Sequence, residues 1–90
     1  MGKLVAVFRL MPEDTDVDIE AIKTAVKNAT PKEAVLQGWQ VKPVAFGLKA
    51  LDVTITMEDD EGGSTDQLEA AYNGIAGVGS VQCVDVGRIG

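Results

Sequence analysis

Apolar and polar positions alternate over residues 3–11, KLVAVFRLM, with Leu4, Ala6, Phe8 and Leu10 in one continuous apolar row. That period of two predicts a strand, and the mixture of Lys3, Val5, Val7 and Arg9 predicts a half-exposed reverse face. Pro12 closes the run. After PEDTD the period lengthens: Ile19, Ile22, Val26 and Ala29 recur at spacings of three and four, one face of a helix. Asp16 is its expected N-cap, with Asp18 and Glu20 in the first turn, where the helix dipole favours negative charge. Pro31 ends it by disfavouring helical geometry at the residue before.

The next stretch, EAVLQGWQVKPVAF, alternates less cleanly. Val35, Gln37, Trp39 and Val41 against Leu36, Gly38, Gln40 and Lys42 predict a second strand with a bulge near Gly38. Pro43 belongs at its end or on an edge, because proline cannot donate to a ladder. The third strand is the clearest, with Leu51, Val53, Ile55 and Met57 opposed to Asp52, Thr54, Thr56 and Glu58. EDDEGGS reads as a loop, and Ser64 to Gln67 as a capping box. Leu68, Ala71, Tyr72 and Ile75 form a second helical stripe that GVGS stops. SVQCVDVG is a short last strand whose inward face the pattern leaves open.

The order is β-α-β-β-α-β. It predicts an α+β fold, the ferredoxin-like split βαββαβ sandwich: a four-stranded antiparallel sheet with two helices on one face. PVAFGLK then falls where the second and third strands turn, at an end of the sheet where function is commonly carried.

The 90 residues suit one domain, expected to span 1–90. Eight basic against fourteen acidic side chains give a net charge of −6. That balance argues against direct nucleic-acid binding and against an anionic membrane surface as partner. The one cysteine, Cys83, has no internal partner, so a reducing compartment is expected; in a strand beside Val84 it reads as a small buried hydrophobe. The start has no signal-peptide pattern, and no apolar run approaches the ~18 residues of a membrane span. A cytoplasmic protein is expected. No feature of the sequence sets an oligomeric state.

Enzyme chemistry finds little footing. Histidine is absent, which removes the commonest general base and metal ligand. Cys83 lies in no CxxC motif, and no GxxxxGK[ST] loop is present. The aromatic clusters and basic stripes of RNA-recognition modules are missing as well. The acidic run Glu58 to Glu61 lacks calcium-loop spacing and reads as a solvated turn. Hence no catalytic residue, metal or cofactor is expected. Trp39 is weighted towards packing over a contact role. Phe46 stands outside the alternating rows, between Ala45 and Gly47, and spacing leaves core and contact roles even.

PVAFGLKAL, the strand after it and the segment EDDEGGSTDQLEAAYNGIAGVGSVQCVDV resemble the archaeal elongation factor 1-beta family. The start, KLVAVFRLMPEDTDVDIEAI, fits it too, so the resemblance covers essentially the whole chain. Its most specific piece is P-[IV]-x-[FY]-G-[IL]-K-x-L, matched by Pro43, Val44, Phe46, Gly47, Leu48, Lys49 and Leu51. The family resembles the guanine-nucleotide exchange domain of eukaryotic elongation factor 1-beta. Membership implies the ferredoxin-like fold, binding to the GTPase elongation factor 1-alpha and replacement of its GDP by GTP.

In the eukaryotic relatives the motif's phenylalanine docks on the GTPase's second domain, and a lysine next to the C-terminal residue intrudes near the GTPase's magnesium. The resemblance therefore implies partner contacts at Pro43, Phe46, Gly47 and Lys49. The lysine has no counterpart, since this chain ends Arg88, Ile89, Gly90. Arg88 is either a substitute cation or a solvated tail residue. A regulatory small-molecule-binding domain is the alternative reading of the same fold.

Overall fold

The computed structural model describes residues 2–32, 34–44, 47–58 and 65–89. Its elements run β1 (Lys3–Pro12), α1 (Ile19–Ala29), β2 (Ala34–Pro43), β3 (Lys49–Glu58), α2 (Thr65–Asn73) and β4 (Val78–Ile89). The four strands form one sheet in the order β2-β3-β1-β4, with every pairing antiparallel. Two helices complete the ferredoxin-like α+β arrangement that the pattern predicts.

Alternation on the two central strands builds the core. Ala6, Phe8 and Leu10 of β1 stand opposite Ile55, Val53 and Leu51 of β3, and all six are fully buried. Both helices pack their apolar stripes here, Ile22 and Val26 from α1 and Leu68 and Tyr72 from α2. Phe8 meets Tyr72 edge-on, with ring centroids 5.8 Å apart and planes at 74°. The Thr30 hydroxyl donates to the Val26 carbonyl at 2.7 Å and lies 2.9 Å from the Tyr72 oxygen. Its one proton is thus engaged, and Tyr72 donates to Thr30. This bond joins α2 to the end of α1 and satisfies the buried phenol.

Two helix boundaries differ from the expectation. The N-cap of α1 is Asp18, whose carboxylate accepts from the Glu20 N–H at 3.0 Å, and not Asp16. Asp16 instead gives its own N–H to the Asp14 carboxylate at 2.9 Å, so the chain turns once more before the helix starts. The second helix ends at Asn73, before GVGS, and Ile75 packs on the core from the turn that follows. The capping-box serine, Ser64, lies outside the described residues.

The last strand is longer than expected and shifts register twice against β1, once at Gly79 near its start and once in its middle. Val7 and Phe8 face Asp85 and Cys83, so Val84 is the extra residue. Side chains change faces there, which is why the pattern left the inward row open. The buried reading of Cys83 is overturned: it is exposed, because it lies on the edge strand past Val78 and Val81, the part of β4 that packs on the core. Its Sγ–H points to the Asp85 carbonyl at 3.6 Å.

Ile55 tests the assignment of the covered face. Ile55→Ala should lower unfolding free energy by about 2–5 kcal/mol. Denaturant melts showing a loss below about 0.5 kcal/mol, the range of surface substitutions, would contradict its place in the core.

Candidate docking site at the hairpin end

The bulge expected near Gly38 is present, with Gln37 the extra residue between the Leu36–Ile55 and Gly38–Thr54 pairs. It divides the row read as continuous. Ala34 and Leu36 face the helices before the bulge; Trp39, Val41 and Pro43 do so after it, opposite Val53, Leu51 and Lys49. Val35 therefore lies on the other face of the sheet from Trp39. Trp39 is 36% exposed on this edge strand, with Lys23 Nζ 5.7 Å from its ring centroid.

Pro43 and Lys49 are the last paired residues before the turn, and the Val44 N–H donates to the Leu48 carbonyl at 2.8 Å to close it. Proline ends the ladder here without leaving an unpaired donor. Gly47 has φ +77°, a left-handed conformation that glycine adopts at no steric cost. An added Cβ there would lie 3.7 Å from the Thr15 methyl of the β1–α1 loop, so the turn rests beside that loop. Ala45 and Phe46 lie outside the described residues. Pro43, Gly47 and Lys49 are thus brought together.

Arg88 is not. It sits in β4 opposite Leu4, whereas the hairpin base lies beyond the Leu10–Leu51 pair. Six residues of extended strand separate those levels, roughly 20 Å. Arg88 is exposed, and its backbone lies within a ladder that continues through Ile89. The expected contacts therefore occupy opposite ends of the sheet.

Sequence reading missed a charge network behind the hairpin base. Arg9 of β1 donates twice to the Asp52 carboxylate of β3, Nε at 2.9 Å and Nη2 at 3.2 Å, and Lys42 Nζ of β2 lies 3.5 Å from it. The register makes this possible by placing Asp52 opposite both Arg9 and Gln40. Asp52 is only 6% exposed, although it stands on the face away from the helices. Hydrogen bonding to Arg9 outweighs desolvation and holds its carboxyl below the ordinary value of 3.8. Three strands are tied together one step from Pro43.

Among the described residues, no group of three or more Asp, Glu or Cys side chains is arranged to hold a metal ion. Of the acidic run Glu58 to Glu61, the residues Asp59, Asp60 and Glu61 lie outside the described residues. No described helix is long and apolar enough to cross a membrane.

Residues 5–89 match the family described as the EF-1 guanine nucleotide exchange domain. The chain belongs to that family. It is 44% identical to elongation factor 1-beta of Methanobrevibacter smithii over 89 residues, covering 99% of each chain. With elongation factor 1-beta of Methanosarcina barkeri it shares 46% over 90 residues, 99% of this chain and 100% of the relative. The resemblance carried by the PVAFGLKAL stretch is thereby confirmed across the archaeal form of the family. Among solved structures, the C-terminal domain of the MgtC protein from Mycobacterium tuberculosis aligns with a TM-score of 0.58 at 14% identity, covering 97% of this chain and 87% of that one. That likeness concerns the fold alone.

The Asp52 network makes a prediction about pH. A carboxylate whose pKa is depressed on folding stabilises the fold above its unfolded pKa, and that contribution is lost as pH falls through the lower folded value. Asp52→Asn should therefore melt below the wild type at pH 7, with the gap closing towards pH ~2. A gap independent of pH in thermal melts would mean that Asp52 acts by shape and not by charge.

Proposed function

We propose that this chain is a guanine-nucleotide exchange factor for the GTPase elongation factor 1-alpha, acting in the cytoplasm during translation elongation. The family match over residues 5–89 carries the reading. All 90 residues form the exchange domain on this view, and the activity needs neither a cofactor nor a covalent step.

The work is done by linkage. A factor that binds the nucleotide-free GTPase more tightly than the GDP-bound form must, by the same ratio, weaken GDP in the ternary complex. The hairpin end makes the anchoring contact, with Phe46 the principal side chain and Pro43, Gly47 and Lys49 as further partner contacts. Gly47 supports this role, because its left-handed backbone sets the direction in which the turn projects. Arg88, at the far end of the sheet, is the cation that approaches the nucleotide site. Its place in a paired strand holds its backbone in one position, as a repulsive probe of bound magnesium requires.

Stopped-flow release of a fluorescent GDP from the matching GTPase tests the whole reading: the chain should accelerate release, and no acceleration overturns it. Phe46→Ala should weaken binding by about 2 kcal/mol, roughly thirtyfold in Kd, while the thermal midpoint holds. A collapse in stability with unchanged affinity of the folded fraction would place Phe46 in the core.

Arg88→Ala should slow GDP release at physiological magnesium yet leave formation of the nucleotide-free complex nearly unchanged. Charge at close range in a partly desolvated site supplies such an effect, whereas a solvated arginine does not. Equal release rates for the two proteins would remove Arg88 from the mechanism.

A further inference from the structure

Beside the hairpin base, the β1–α1 loop, the start of α1 and β2 enclose an open groove of about 490 Å³. Pro12, Val17, Ile19 and Val41 give it an apolar lining, and Asp14, Asp18 and Glu20 give it an acidic one, with Lys49 also present. Two residues along β2 from Val41 stands Trp39, turned to this side of the sheet by the Gln37 bulge. Both are more than a third exposed, 36% for Trp39 and 38% for Val41, although their cross-strand partners Val53 and Leu51 are fully buried. Apolar surface of this kind on an edge strand commonly marks an interaction site.

We propose that this groove is a second docking surface of the exchange factor, and that it receives a Lys/Arg-bearing segment of the GTPase with an apolar side chain between its cations. The inference rests on the exchange reading above and adds the chemistry of a contact outside the hairpin motif. Charge selects the occupant. Residues 13–20 carry five carboxylates, Glu13, Asp14, Asp16, Asp18 and Glu20, and no cation. Three of them, Asp14, Asp18 and Glu20, line a groove whose described cations are Lys49 and the nearby Lys23, which leaves it net acidic.

Lys23 already displays the recognition chemistry. Its ammonium lies 2.8 Å from the Glu20 carboxylate and 5.7 Å from the Trp39 ring centroid. A cation is thus held between a carboxylate and an indole face, the environment that an incoming Lys or Arg would share. Nucleic acid is repelled by the same carboxylates, and a second copy of a chain with net charge −6 is disfavoured for the same reason. The contact between Thr15 and the Gly47 position makes the groove continuous with the hairpin end, so one partner can cover both.

Trp39 is the chain's one tryptophan, so fluorotryptophan labelling places a fluorine NMR probe at this surface alone. Its resonance should shift on titration with the nucleotide-free GTPase. Asp14→Asn/Glu20→Gln keeps hydrogen-bond acceptors at both positions while removing two charges. It should cut the association rate at low salt by roughly three- to tenfold and flatten its salt dependence. Trp39→Ala should weaken binding about tenfold, chiefly by faster dissociation, with circular dichroism and thermal midpoint reporting that the fold persists.

Acceleration of GDP release by the wild type, without a fluorine shift and with both variants binding as the wild type does, overturns the groove and leaves the exchange reading standing. A fluorine shift without acceleration removes the exchange reading and keeps the groove. A shift that appears when the chain alone is concentrated assigns the groove to a second copy and overturns the proposal. Failure of the chain to bind the GTPase at all overturns both.

Discussion

Slipping β1 by one residue against β3 would move Ala6, Phe8 and Leu10 from the helix side of the sheet to the other face. The helices would then meet Val5, Val7 and Arg9. Everything else depends on that register. Eight consecutive pairs, Lys3–Glu58 through Leu10–Leu51, hold it without irregularity. The pairing also sets Arg9 opposite Asp52, so an ion pair on one face and the apolar core on the other favour the same alignment. A slipped alignment would lose both at once, which makes the central pair the most strongly specified part of the molecule.

The outer strands follow a different rule. β2 and β4 each pair on one side only, and each contains extra residues relative to its inner neighbour, Gln37 in β2 and Gly79 and Val84 in β4. Bulges at sheet edges re-aim side chains and interrupt the flat edge that invites pairing with another chain. In β2 the Gln37 side chain donates to the Thr56 hydroxyl at 2.9 Å, so the inserted residue is held in place. The consequence lies downstream: Trp39 and Val41 turn towards α1, at an edge the helix does not fully cover.

These rules explain what could be read from the chain and what could not. Strict alternation in residues 4–10 and 51–57, and the stripes Ile22–Val26 and Leu68–Tyr72, gave the strands, the helices and hence the topology. The hairpin was legible because Pro43 and Gly47 carry backbone constraints that do not depend on distant neighbours. Asp16 and Asp18 are alike as caps, and only the extra turn stabilised by Asp14 separates them. Cys83 was misplaced because a strand's period says nothing about whether a helix covers it. The Arg9–Asp52–Lys42 cluster joins residues from three strands and required the register. The proximity of the acidic loop to the hairpin was implicit in the topology, which puts the end of β1 and the β2–β3 turn at one edge.

On the proposed reading, the separation between the two ends of the sheet has an energetic meaning. A contact made equally well with GDP-bound and nucleotide-free GTPase adds affinity but shifts no equilibrium. Only a contact whose free energy differs between those states contributes to release. The hairpin and the groove beside it lie roughly 20 Å from the level of Arg88, so they need not sense the nucleotide directly. Their part is to hold the domain in one orientation, and the Arg9–Asp52–Lys42 tie across three strands stiffens the base on which that orientation depends. Arg88 then approaches the nucleotide site on a strand fixed to the same sheet, through β1. Binding free energy gained at one end can oppose bound GDP at the other to the extent that the sheet between them does not bend. The unbroken β1–β3 register connects the two.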